Sequence, residues 1–78
     1  MKAHVVMKVY SNGASAIQKI FSSKKKAQEY IYKWAEVDRL DGWNVYHKKD
    51  PVFGMKTVKE KGSLSNMIQE YIVSMEVE

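Results

Sequence analysis

The chain begins with a period-two pattern in which Val5, Met7 and Val9 alternate with Val6, Lys8 and Tyr10. A second run, Ala16-Ile17-Gln18-Lys19-Ile20-Phe21, follows across Ser11-Asn12-Gly13-Ala14-Ser15. Two such runs joined through Asn-Gly predict a β-hairpin, because both central residues of a type I′ turn need positive φ and Asn and Gly tolerate it. With Asn12-Gly13 as a two-residue turn, Val9 faces Ala16, Met7 faces Gln18 and Val5 faces Ile20. That register gathers Val5, Met7, Val9, Ala16 and Ile20 on one face, the expected core side. It leaves His4, Lys8, Tyr10 and Lys19 on the other.

The period then lengthens. Ala27, Tyr30, Ile31, Trp34 and Ala35 fall at i, i+3, i+4, i+7 and i+8, a helical stripe that turns one face toward a core. Ser22 or Ser23 supplies the N-cap oxygen for the first free N–H groups. Lys25–Glu29 and Glu29–Lys33 add i,i+4 pairs on the solvent side, each worth about 0.2–0.5 kcal/mol. Asp41-Gly42 ends the helix. Beyond it, Trp43–Lys49 reads as a strand, Asp50–Gly54 as a loop, and Met55–Lys61 as a strand that turns at Gly62-Ser63.

The last segment fits two templates. Leu64, Met67, Ile68, Tyr71, Ile72 and Met75 match a helical stripe, whereas Tyr71, Val73, Met75 and Val77 alternate as a strand. Tyr-Ile-Val is rich in β-formers, so the expectation is a helical turn near residues 64–69 leading into a terminal strand from Tyr71. Together these elements predict an α+β fold in a single domain over residues 1–78. It is an antiparallel sheet, the N-terminal hairpin plus C-terminal strands, with one main amphipathic helix packed on one face.

Composition narrows the chemistry. Seventy-eight residues leave no room for a second domain, and 45% hydrophobic residues with two Trp, five Tyr and two Phe suffice for a core without staples. The chain has no Cys, which excludes disulfides and Cys-ligated metal. No window approaches the roughly 18 apolar residues of a membrane span, so the expected setting is cytoplasmic and away from membranes.

The net charge of +4 is unevenly spread: residues 1–26 hold six Lys and no acid, while residues 63–78 sum to −3. Twelve of the thirteen basic residues are Lys, and Arg39 is the one Arg. Sequence-specific base reading usually relies on the rigid guanidinium fork, so that class of function is disfavoured.

No catalytic or cofactor motif is present. His4 and His47 stand 43 positions apart without a neighbouring ligand cluster, and Gly13, Gly42, Gly54 and Gly62 each stand alone at a turn. Asp38 and Asp41 flank a helix end and read as solvating or capping residues. Trp43 and Tyr46 read as sheet-packing residues. Catalytic, cofactor-binding and metal residues are therefore expected to be none, with no cofactor and no enzymatic activity.

Two groups of lysines remain as candidates for an anion or an acidic partner. Lys24, Lys25 and Lys26 sit where a helix exposes free N–H groups, although lysine is also simply a good helix former there. Lys48 and Lys49 belong to a second basic group with Lys56, Lys59 and Lys61. In the loop, Val52, Phe53 and Met55 are the candidate apolar contacts, since aromatic residues and Met are enriched in interface cores.

The hairpin running into Phe21-Ser-Ser-Lys-Lys-Lys-Ala-Gln-Glu-Tyr-Ile31, with the closing segment Tyr71-Ile-Val-Ser-Met-Glu-Val-Glu78, resembles small α+β proteins common in bacteriophage genomes. The resemblance covers residues 5–35 and 71–78. It implies a protein that binds and blocks or redirects a host protein, and it carries over no functional residue. The basic charge here departs from the acidic, DNA-mimicking members of that group. The first functional expectation is thus a non-enzymatic protein that binds an acidic surface on a host or self protein, with homodimerisation through a strand edge. The alternative is a small basic nucleic-acid-binding protein whose binding is backbone-driven and salt-sensitive.

Overall fold

The computed structural model describes residues 1–62 and 66–77. In chain order they form β1 (Lys2–Tyr10), β2 (Ser15–Phe21), α1 (Lys24–Leu40), β3 (Asn44–Asp50), β4 (Gly54–Glu60) and β5 (Met67–Glu76). The strands make one five-stranded sheet in the order β2-β1-β5-β4-β3, and every neighbouring pair is antiparallel.

The β1–β2 connection is a three-residue loop, Ser11-Asn12-Gly13, and not the two-residue turn expected from Asn-Gly. The Gly13 N–H donates to the Tyr10 carbonyl at 2.9 Å, and the Tyr10 N–H donates to the Ala14 carbonyl at 2.8 Å. Asn12 Oδ1 accepts the Ala14 N–H at 2.9 Å, so the asparagine holds the loop through its side chain. Within this loop Gly13 alone takes positive φ, +87°, as in a type I turn closed by a left-handed glycine.

The added loop residue shifts Val9 opposite Ser15 and Met7 opposite Ile17. A bulge at Gln18 then restores Val5 opposite Ile20. The bulge has a further effect. Ile17 and Ile20, three apart, would ordinarily face opposite ways, but here both stand with Val5 and Met7 on one face.

The helix covers the other face. Ser23 caps it, its Oγ accepting from the Lys26 N–H at 3.4 Å. The small residues Ala27 and Ala35, with Ile31 between them, are fully buried and bring the helix close to the sheet. Ala27 and Ile31 pack with Val6 and Ile72, flanked by Phe21 and Tyr30. The helix therefore lies over the His4/Val6/Lys8 face; no helix among the described residues covers the expected core face of Val5, Met7 and Val9, although Val5 and Val58 are buried on it.

Length explains why only one face is covered. Seventeen helical residues span about 25 Å at 1.5 Å each, and five strands about 4.8 Å apart span about 19 Å. One helix is used up in crossing from the β2 edge to the β3 edge.

β5 begins at Met67, four residues earlier than expected, so residues 67–69 are strand and not helical turn. The rest of that expected turn, at residues 64 and 65, lies outside the described residues. Pairing with β1 from Ile68 to Glu76 and with β4 from Met67 accounts for the early start: Tyr10 faces Ile68 and Glu60 faces Met67.

Candidate functional site

Three features of this scaffold can hold something: the open sheet face, a notch at the edge of β5, and a charged cleft under the helix. On the open face, strand alternation sets Ala3, Val5, Ile20 and Met75 side by side. They line an apolar hollow of about 400 Å³ together with Phe21 and Val77. Ile17 and Ile20 are each 59% exposed. Toward the β4 side, the face is partly roofed where Phe53 stacks on Tyr71 with ring centroids 4.2 Å apart.

The notch has a volume of about 400 Å³ and is lined by Lys24, Val52, Phe53, Gly54, Ile72, Val73 and Ser74. It exists because the β3–β4 loop is fixed in place. Asp50 Oδ2 accepts the Val52 N–H at 3.0 Å and the Phe53 N–H at 2.7 Å, and Gly54 takes φ +84°. The Phe53 amide above all holds the Asp50 carboxyl below the ordinary carboxylate range. The Val52 amide and the Lys56 ammonium, 3.7 Å from Oδ1, add to this against partial desolvation.

Under the helix, Lys59 donates to Asp38 Oδ2 at 2.6 Å and forms an ion pair with Glu70 Oε1. Lys59 is 3% exposed and Glu70 2%. Lys8 stands opposite Glu70 on β1, and Gln18, Tyr30 and Trp34 complete a cleft of about 250 Å³. Glu70 Oε1 has no aligned hydrogen bond, so its partnership with Lys59 is one of charge. Burial alone would lower the Lys59 pKa, but the hydrogen bond to Asp38 and the negative charges of Glu70 and Asp38 outweigh it and hold the pKa above the usual lysine value. Two cations and two carboxylates balance there, which suits structure better than chemistry.

Of the residues singled out from sequence, Lys24, Val52 and Phe53 are brought together at the notch. Lys25 and Lys26 are exposed on the first helical turn. Lys48 and Lys49, adjacent on a strand, point to opposite faces and form no common patch; Lys48 stands opposite Lys56. Phe53 folds onto Tyr71, and the Met55 sulfur accepts from the Tyr32 hydroxyl at 3.4 Å, so Val52 is the exposed tip of that loop.

Asp41 is the helix C-cap, whereas Asp38 serves the buried ion pair, a role sequence reasoning missed. The available signal was period two. It sets Lys59 with Thr57, and Glu70 with Ile68 and Ile72, on strands whose other members pack against the helix.

His4 and His47 are each bonded to a hydroxyl across the sheet, His4 Nδ1 lying 2.7 Å from Ser74 Oγ and His47 Nδ1 2.8 Å from Thr57 Oγ1. Desolvation chiefly, with Arg39 and Lys59 nearby and Glu36 opposing, lowers the His47 pKa below 6.5.

Fold and surface together define a small antiparallel α+β domain with a one-sided helix and an open apolar sheet face. Comparisons with protein-family models, curated proteins and solved structures return no match to this chain. No helix among the described residues is long and apolar enough to cross a membrane. Nor do the described residues gather three or more His, Asp or Glu as a metal-holding group.

Proposed function

We propose that this chain is a non-enzymatic interaction protein that docks on another protein through the open face of its sheet. The apolar hollow around Val5, Ile20 and Met75 carries this reading. An apolar surface left uncovered by the chain's own helix is what interface cores are made of. The partner's chemistry follows from the charge: an apolar centre with an acidic rim, steered toward Lys48 and toward Lys24, Lys25 and Lys26. A host protein is the target implied by the resemblance to phage-encoded proteins.

Nucleic-acid binding has weaker support. Grip on single strands needs free aromatic faces, and several rings here are occupied by the chain's own lysines. Lys19 Nζ lies 5.5 Å from the Phe21 centroid and 5.7 Å from Tyr30, and Lys61 Nζ lies 5.8 Å from Trp43.

The test is capture from a bacterial lysate, treated with nuclease, by the wild-type domain and two variants. Ile20→Glu is expected to abolish recovery of a stoichiometric acidic protein, while Leu40→Glu, at an exposed helix position remote from the open face, retains it. Equal capture by Ile20→Glu, recovery of no protein, or capture lost on nuclease treatment would each overturn the proposal.

A further inference from the structure

β4 pairs with β5 only from Met67 to Tyr71, yet β5 continues to Glu76. The phase of β5 shows which backbone groups that leaves free. The Val77 N–H donates to the Met1 carbonyl at 2.7 Å, toward the β1 side. Backbone direction alternates along an antiparallel ladder, so Val73 and Met75 also bond toward β1. The N–H and C=O groups of Ser74 and Glu76 point the opposite way, where β4 has already turned off. Among the described residues nothing pairs with them.

Natural sheets rarely leave such an edge unprotected. This one is bounded rather than blocked: the Asp50-capped loop ends at Phe53 and Gly54, and the notch beside Val73 and Ser74 is empty space of about 400 Å³. Its occupant must be an extended strand that brings an apolar side chain to Val52, Phe53 and Val73. It must also bring an acid to Lys24, which has no ion-pair partner among the described residues.

We infer that this edge pairs with the same edge of a second copy of the chain. The segment Val73-Ser-Met-Glu-Val77 has the required alternation. Antiparallel pairing about Met75 sets Ser74 opposite Glu76 of the second copy, so each of the four free N–H groups meets a free carbonyl. Glu76 of the second copy arrives on the helix side of the sheet beside Ser74, where Lys24 lines the notch. Among the described residues of its own chain the Glu76 carboxylate has one ion-pair contact, an exposed one to the Met1 amino group at 3.5 Å, a pairing of little worth in water. On the open face, Val77 of the second copy comes opposite Val73, at the mouth of the Val52–Phe53 hollow. Two-fold symmetry makes both Lys24–Glu76 contacts at once.

The two-fold axis runs perpendicular to the sheet, so both helices stay on one side and the two open faces join into a single apolar surface with Met75 at its centre. The dimer is independent of what docks on that surface, and its test separates the two proposals.

Sedimentation velocity over a concentration series is expected to show a species of twice 9.0 kDa. Lys24→Glu or Glu76→Lys alone should weaken dimerisation about tenfold, because two symmetric pairs turn from attractive to repulsive. The combined charge swap should restore it. In the wild-type dimer the Ser74 and Glu76 amides should exchange with deuterium slowly, and faster on dilution. A monomer at all concentrations up to about 1 mM would overturn the inference. So would a dimer indifferent to the charge reversals, or one whose Ser74 and Glu76 amides exchange freely. Both substituted positions are exposed, so folding of the variants, checked by circular dichroism, is expected to be unchanged.

Discussion

Replacing Lys59 by Met tests the buried ion pair under the helix. Lys59 and Glu70 are both buried, and Asp38 closes the group from the helix. Removing the ammonium leaves the Glu70 carboxylate in the interior without its ion-pair partner, a loss of about 3–5 kcal/mol. At roughly 0.05–0.15 kcal/mol per residue the whole domain has about 4–12 kcal/mol, so the single variant should be at or near the edge of folding. The paired replacement Lys59→Met with Glu70→Leu removes both buried charges, and Asp38, being partly exposed, can turn to water. Apolar replacement of a buried pair is often neutral or stabilising, so the double variant should recover most of the loss.

The pH dependence gives a second check on the same residue. Because the folded pKa of Lys59 lies above 10.5, the stability it contributes is fully present below about pH 10.4 and is lost as pH rises through the folded value. The difference in stability between wild type and the double variant Lys59→Met/Glu70→Leu, which has no unpaired carboxyl, should therefore be flat through neutral pH and shift against wild type only above about pH 10. Urea unfolding followed by Trp fluorescence measures both effects. A single variant within 1 kcal/mol of wild type, or a double variant no better than the single, would refute this account of the buried charges.

Two further outcomes follow from the same geometry. His47 has a folded pKa below 6.5, so the unfolded chain binds the proton first and stability should fall as pH drops from about 6.5 through the folded value; His47→Gln should flatten that limb in urea titrations. Ile31→Ala, at a fully buried helix position, should cost about 2–5 kcal/mol, whereas Ile20→Ala should stay within about 1 kcal/mol; a larger loss at Ile20 than at Ile31 would mean that the helix covers the wrong face here.

The elements were largely legible in the sequence, and the layering was not. Period-two and period-3.6 stretches locate β1, β2 and α1 because each depends on side chains a few residues apart. The choice between the two faces of β1 depends on which face the crossing helix meets, and both faces offer valines. The stripe Val5-Met7-Val9 is the more apolar in sequence, yet it is Val6 that meets Ala27 and Ile31.

The hairpin loop illustrates a different limit. Asn12-Gly13 marks a turn correctly, but Asn12 can serve either as a left-handed residue or as a side-chain acceptor, and one residue of loop length decides the register. The site was legible in fragments. Lys24, Val52 and Phe53 are recognisable as contact types, but their meeting depends on where β4 leaves β5, which no local pattern encodes.

That departure ties fold and surface together. Asp50 draws the loop in by accepting two backbone N–H groups, Phe53 is thereby laid on Tyr71, and β4 is shortened relative to β5. The same few residues leave the edge at Ser74 and Glu76 free and roof one end of the open face. Here the polar edge and the apolar face are left open side by side on β5, Ser74 and Glu76 turned to the edge and Val73 and Met75 to the face. Stability is carried instead on the helix side by Ile31, Val6 and the Lys59–Glu70 pair. Substitutions of Ile31 or Val6 should therefore act on folding and those of the exposed Ile17 and Ile20 on association, whereas Val5 and Val58, buried on the open side, belong with the folding group.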